Sequence, residues 1–212
     1  MDREDFLREC RLLASIQHQN VARLVGVCTT EQPYCSVLEH SLIGDLYGYL
    51  RKSSEENPTA LGFPQMLDFV CQIVSGMKHL ESRNIVHKDL AARNCIISNN
   101  GVIKISDVAM GMSEFEFDYA DARGNSKAPI RWQPWESILL GRVSLSSNVW
   151  SFGVTSWEIF GLCKERPFSM LTDSEVVQNA ERIYYNDNLQ VKLKRIKFCF
   201  TFGRSLVGAK MH

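Results

Sequence analysis

The sequence predicts an α+β fold that is mostly helical, with its few strands gathered into short hairpins. Three observations carry this. Apolar residues recur at three- and four-residue spacing in several long stretches, the period of one helix face. Short apolar runs bounded by turn residues are few. Between the two kinds of segment, residues 85–111 (IVHKDLAARNCIISNNGVIKISDVAMG) place Asp89, Asn94 and Asp107 in a single loop, hairpin, loop unit.

Taken in order, residues 3–16 carry Phe6, Leu7, Cys10, Leu13 and Ala14 at helical spacing, with Glu9 among them. Two strands follow at 23–28 and 35–38, joined by a turn around Pro33, and then a short helix within SLIGDLYGYLRKS. The clearest helix bears Phe63, Met66, Leu67, Val70, Ile73, Val74, Met77 and Leu80, with Pro64 just inside its start, where a missing N–H costs nothing. That stripe is core. CIISNNGVIKI is a hairpin turned by Asn100 and Gly101. Residues 146–160 are apolar nearly all round, so this helix is expected to be buried on every side, with Trp157 or its neighbours left partly exposed where covering helices are lacking. Residues 173–185 form a last amphipathic helix.

The 212 residues are 45% hydrophobic, ordinary for a packed protein. Lys plus Arg and Asp plus Glu each number 24, so no overall field points to nucleic acid. The end is basic, with no acidic residue after Asp187. The seven cysteines include no CxxC pair, which disfavours a disulfide framework or a zinc site; they read as scattered, mostly buried thiols of a reducing compartment. With no signal region and no run long enough to span a bilayer, the chain as written reads as soluble and cytoplasmic.

Phosphoryl transfer asks a protein for a positioned hydroxyl, metal ions on the phosphates and fixed positive charge. Asp89 could accept the hydroxyl proton. Asn94 and Asp107 could hold magnesium, a hard cation that prefers oxygen. Arg93 would offset the charge near Asp89. Each residue alone has a plainer account as a cap or turn former, and His87 reads as a satisfied core histidine; the combination HKDLAARN, a hairpin and an aspartate does not reduce to turns.

At these residues the sequence resembles the protein kinases. The triplet Ala91, Ala92, Arg93 has the receptor-tyrosine-kinase form, and PIRW at residues 129–132 resembles the tyrosine-kinase substrate-binding segment. WES at 135–137, LTD at 171–173 and the wording GVTSWEIFGLCKERPF are similar to the discoidin-domain receptors. The resemblance runs over residues 5–193. It implies a protein-kinase-like fold, a mostly helical C-terminal lobe with an incomplete N-terminal lobe: residues 1–38 as part of the N-lobe, 39–193 as the C-lobe and 194–212 as an unmatched basic tail. It further implies ATP and Mg as cofactors and a protein tyrosine as substrate. Asp89 is then the base, with Asn94 and Asp107 as metal ligands. Glu9 pairs with an ATP-gripping lysine, Leu38 is the gatekeeper, Glu39 and Ser41 form the hinge, Ile96 lies beneath adenine, and Tyr119 is an activation-loop tyrosine and phosphorylation candidate. Phe115 and Ala120 stand where these receptors carry further tyrosines. A receptor parent would place this region in the cytosol beneath the plasma membrane, attached through a segment outside this sequence, and would dimerise.

The sequence also departs from the pattern. Met1 precedes Glu9 by only eight residues, so the glycine-rich loop and the lysine are expected to be absent, and no Gly-x-Gly-x-x-Gly occurs anywhere. The metal motif reads Asp107, Val108, Ala109 in place of Asp, Phe, Gly; Lys88 replaces an arginine, and Asn148 an aspartate that anchors the catalytic loop, there exchanging a charge-assisted bond for a neutral one. Three readings stay open: a receptor tyrosine kinase domain inactive when isolated, a pseudokinase acting as a docking module, and a gene fragment.

Overall fold

A computed structural model describes residues 3–57, 61–107, 113–121 and 127–185, apart from the side chains of residues 5, 9 and 113. Val108, Ala109 and the tail 194–212 therefore lie outside the described residues. Helix α1 (Arg3–Ala14) leads into strands β1 (Leu24–Cys28) and β2 (Cys35–Leu38). Helices α2 (Leu46–Glu56) and α3 (Phe63–Ser82) precede strands β3 (Cys95–Ile97) and β4 (Ile103–Ile105). The short strands β5 (Ala120–Asp121) and β6 (Lys127–Ala128) are followed by α4 (Trp135–Leu140), α5 (Leu145–Phe160) and α6 (Asp173–Tyr185). Each strand pair is an antiparallel two-stranded sheet.

Local chemistry sets these boundaries. The Asp45 carboxylate caps α2 by accepting from the Gly48 amide at 2.8 Å. Pro64 opens α3. Gly101 turns the β3–β4 hairpin at φ 76°, a left-handed conformation that suits glycine. At α5, Ser144 and Ser147 form a reciprocal capping box.

The main core gathers Leu46 and Leu50 of α2, Phe69, Ile73 and Leu80 of α3, Ile103 and Ile105 of β4, and Ile159 of α5. Each such side chain contributes roughly 1.5–3 kcal/mol on burial. Helix α3 lies hard against the segment after α1: a Cβ on Gly76 would stand 2.5 Å from the Asn20 carbonyl oxygen, so glycine is required by space here. A second cluster joins Ile130 and Ile138 to Val176 and Ala180 of α6. The main core also takes in Leu90 and Ala92 of the segment that follows α3, which ties that segment to the helices.

Helix α5 is not covered on every side. Val149 is 70% exposed and Trp157 half-buried, while Ser147, Asn148, Ser151, Thr155 and Glu158 face inward. Its inner face mixes these polar groups with buried Val154 and Ile159. The cysteines also differ from expectation. Of the six described, Cys10, Cys95 and Cys163 are buried, but Cys28, Cys35 and Cys71 are exposed. Among the described residues no helix is long and apolar enough to cross a membrane.

Candidate active site

The segment between α3 and β3 is held from several directions. The Asp89 amide donates to His87 Nδ1 at 3.3 Å, which leaves the ring proton on Nε2, 2.9 Å from the Ser106 carbonyl. His87 is thus satisfied as expected, though half-buried. It also ties Asp89 to the residue preceding Asp107. Asn94 adds two further ties: its Nδ2 donates to the Asp89 carbonyl at 2.8 Å, and its own carbonyl accepts from the Ser106 amide at 2.7 Å. Asp89, Asn94 and Asp107 are therefore brought together, as their order in the chain predicts. Asn94 carries an amide oxygen and Asp107 a carboxylate, the hard donor types that Mg prefers. Among the described residues no group of three or more His, Cys, Asp and Glu is arranged to hold a metal.

Arg93 is the hub. Its side chain is almost wholly buried, and its guanidinium reaches Asp89 Oδ1 at 2.7 Å and Asp118 Oδ2 at 3.3 Å. Its carbon lies 4.1 Å from the Trp132 ring centroid. Burial pulls its proton affinity down, but Asp89, Tyr119 and Asp118 outweigh this and raise it. Asp118 is drawn up by burial despite Arg93 and Arg166, the latter 2.9 Å from its Oδ1.

Tyr119 completes the cluster. Only 6% of it is exposed. Its hydroxyl donates to Asp89 Oδ2 at 2.5 Å and accepts from Arg93 Nε at 3.2 Å. Burial, then the neighbouring Asp89, push the phenol well above its ordinary range. A 3-10 turn (Ser113–Asp118) delivers it, anchored by Phe115, which packs edge-on against Tyr47 with ring centroids 5.6 Å apart.

Helix α5 holds the loop from below. Thr155 Oγ1 donates to the Leu90 carbonyl, and Glu158 Oε2 accepts from the Ala92 amide at 3.0 Å and from Trp132 Nε1 at 2.8 Å. The neutral bond expected from Asn148 is not made: its buried Oδ1 has no hydrogen-bond partner among the described residues. An orphaned acceptor of this kind costs about 1–3 kcal/mol. The loop's side-chain ties to this helix come from Thr155 and Glu158.

Burial pushes the Glu158 carboxyl up from 4.5 to about 7, against the opposing pull of Arg93. A carboxyl raised on folding adds stability in full below its unfolded value and loses it as pH rises through the folded one. The melting temperature is therefore expected to fall between pH 5 and pH 7.5, by the equivalent of about 3 kcal/mol at most. Glu158→Gln, which keeps an acceptor for Ala92 and Trp132, should remove that slope. An unchanged slope in the variant would assign it elsewhere.

The remaining sequence candidates lie along β2 and β3. Leu38 ends β2 half-buried, and the Glu39 amide donates to the Arg23 carbonyl at 2.8 Å, so its carbonyl is the backbone group that could serve a ligand. The Glu39 carboxylate pairs with Lys104 at 2.8 Å. Ser41 Oγ bonds the Ile97 carbonyl, and Ile96 bridges to Asp45, which brings this connecting segment against β3. Glu9 falls within α1, its side chain outside the description. Glu158, Thr155, Trp132, Asp118 and Arg166 were not anticipated. A carboxylate inside an otherwise apolar helix was the available signal, since buried charge requires partners.

Residues 1–199 match the family model for protein tyrosine and serine/threonine kinases. Discoidin domain-containing receptor tyrosine kinase B of Caenorhabditis elegans is 42% identical over 198 residues, 93% of this chain and 24% of that protein. The human epithelial discoidin domain-containing receptor 1 is 37% identical over 211 residues, 93% of this chain and 23% of the receptor. The mouse high affinity nerve growth factor receptor is 40% identical over 186 residues, 83% of this chain and 23% of that receptor. The chain thus spans about a quarter of the length of these relatives. The match over nearly all of its own length, with the fold and loop just described, assigns the chain to the protein tyrosine and serine/threonine kinase family, as a protein-kinase-like tyrosine kinase domain similar to the discoidin-domain receptors.

Proposed function

We propose that this chain carries the catalytic loop of a receptor tyrosine kinase, which moves a phosphoryl group from ATP to a protein tyrosine. One observation supports this above the others: a tyrosine hydroxyl donates to Asp89 Oδ2 at 2.5 Å, the relation that an acceptor tyrosine needs to its general base. Asp89 takes the hydroxyl proton, and Arg93 holds the carboxylate in place. Bound Mg and ATP supply the transferred group and neutralise its charge. Asn94 and Asp107 would hold the metal; Leu38, Glu39, Ser41 and Ile96 would border the adenine, and Glu9 would reach a lysine.

Tyr119 in this arrangement blocks the site it imitates. Its release, followed by phosphorylation in trans by an active tyrosine kinase, would free Asp89 for a protein substrate. The parent would be a plasma-membrane receptor with this region facing the cytosol, active as a dimer. The docking-module reading keeps one specific support, the orphaned Asn148 Oδ1, a buried acceptor left without a bond.

Titration of the chain with ADP, followed by calorimetry with and without magnesium, tests the metal and nucleotide assignment. Weak binding that requires magnesium and disappears in Asp107→Asn is the expected result. Binding that is indifferent to both magnesium and Asp107 would reject it.

A further inference from the structure

Cys28 and Cys35 face each other across the first hairpin. They form the last register pair of β1 and β2, and directly opposed residues of an antiparallel pair project to the same face with Cβ atoms about 4.5–5.5 Å apart. A disulfide needs Cβ atoms roughly 3.5–4.5 Å apart. An adjustment of about 1 Å at the end of a two-stranded ribbon closes that difference, and such a ribbon has little to resist it. Both thiols are exposed, so an oxidant reaches them.

Their present contacts are local. The Cys35 thiol donates to the Pro33 carbonyl at 3.3 Å, and Cys28 Sγ lies 3.7 Å from Thr30 Oγ1. Both are bonds within the turn that a new S–S bond can replace. The buried cysteines offer no such chemistry; burial pushes the Cys95 and Cys163 thiols far up, which makes them inert. Cys71, exposed on α3, serves as an internal reference for ordinary thiol reactivity.

We propose that Cys28 and Cys35 form a reversible redox clasp, an intrachain disulfide closed by a hydroperoxide and opened by a dithiol. One thiolate attacks the peroxide O–O bond, which breaks to give a sulfenic acid and release water or an alcohol. The second thiol attacks the sulfenic sulfur; the S–S bond forms, the S–O bond breaks and water leaves. Two thiols and one hydroperoxide thus become one disulfide, one alcohol or water, and one water. Exchange with a dithiol restores both thiols. The clasp pins the register of a ribbon whose far end carries Leu38 and leads to Glu39, so oxidation bears on the segment assigned to the nucleotide.

The test treats the 212-residue chain with hydrogen peroxide at neutral pH, alkylates the remaining thiols with N-ethylmaleimide and digests with trypsin. No Lys or Arg lies between Arg23 and Arg51, so one peptide carries both cysteines. That peptide should appear unalkylated and two hydrogens lighter, at least about tenfold faster than Cys71 is oxidised, because the second thiol is already in place. Dithiothreitol should restore its alkylation. Cys28→Ser and Cys35→Ser, both at exposed positions that do not threaten folding, should each abolish the fast reaction. Overturning results are a peptide still doubly alkylated when Cys71 is oxidised, or oxidation of Cys28 and Cys35 singly, at the rate of Cys71.

Discussion

Arg93→Ala is expected to destabilise the chain by about 3–5 kcal/mol, the cost of stranding buried charges whose partner has gone. The guanidinium faces Asp89 and Asp118, donates to the Tyr119 hydroxyl and stacks on Trp132. Removing it leaves two buried carboxylates, of which Asp118 alone is paired with another cation among the described residues, Arg166. Arg93→Lys should recover little, since one ammonium cannot serve two carboxylates and a phenol at once, nor stack as a plane on an indole. The loss should be largest near pH 8 and shrink on acidification, as Asp118, already drawn up by burial, takes a proton. Urea denaturation at both pH values measures it. A loss under about 1 kcal/mol would place Arg93 among ordinary surface ion pairs and remove its role as the hub of the loop.

The sequence made the regular parts legible because regular structure repeats. The three- and four-residue spacing marked α3 from Phe63 to Leu80, two residues short of its end, and Asn100 with Gly101 marked the β3–β4 turn, since each rests on neighbouring residues alone. Proximity of Asp89, Asn94 and Asp107 was also legible, as only a short hairpin separates them. Tyr119 on Asp89 was not. Thirty positions separate the two, and no local pattern says that a 3-10 turn wedged by Phe115 against Tyr47 will return the phenol to the loop. Helix α5 misled for a related reason. Counting apolar residues ignored that Thr155 and Glu158 must face inward to meet the Leu90 carbonyl and the Ala92 amide. The opposed cysteines were invisible until the register of β1 and β2 was known.

The 212-residue chain alone is expected to transfer no detectable phosphate from Mg and ATP to a tyrosine polymer. It contains no Gly-x-Gly-x-x-Gly to supply backbone donors to the phosphates, and each preorganised group missing from such a site costs roughly 10²–10³ in rate. Tyr119 adds a further barrier, since a substrate hydroxyl must displace one that already holds Asp89. A hydrogen bond to a charged group is worth about 1.5–3 kcal/mol, enough to slow entry roughly tenfold or more. A general base contributes about 10²–10⁴ and acts only on a substrate in place, so Asp89 cannot offset these losses.

Whether Asp89 is the base of a working tyrosine kinase loop can be read from a chain in which a glycine loop and a lysine strand stand ahead of residue 1. The glycine-loop and lysine strands of a discoidin-domain-receptor relative, fused ahead of Met1, give a chimera whose transfer of radiolabelled phosphate to a tyrosine polymer can be followed. Incorporation by the chimera is expected, with a faster rate in Tyr119→Phe and a fall of about 10²–10⁴ in Asp89→Asn. A folded chimera that binds Mg and ATP yet transfers nothing, or one whose rate is indifferent to Asp89, would contradict it.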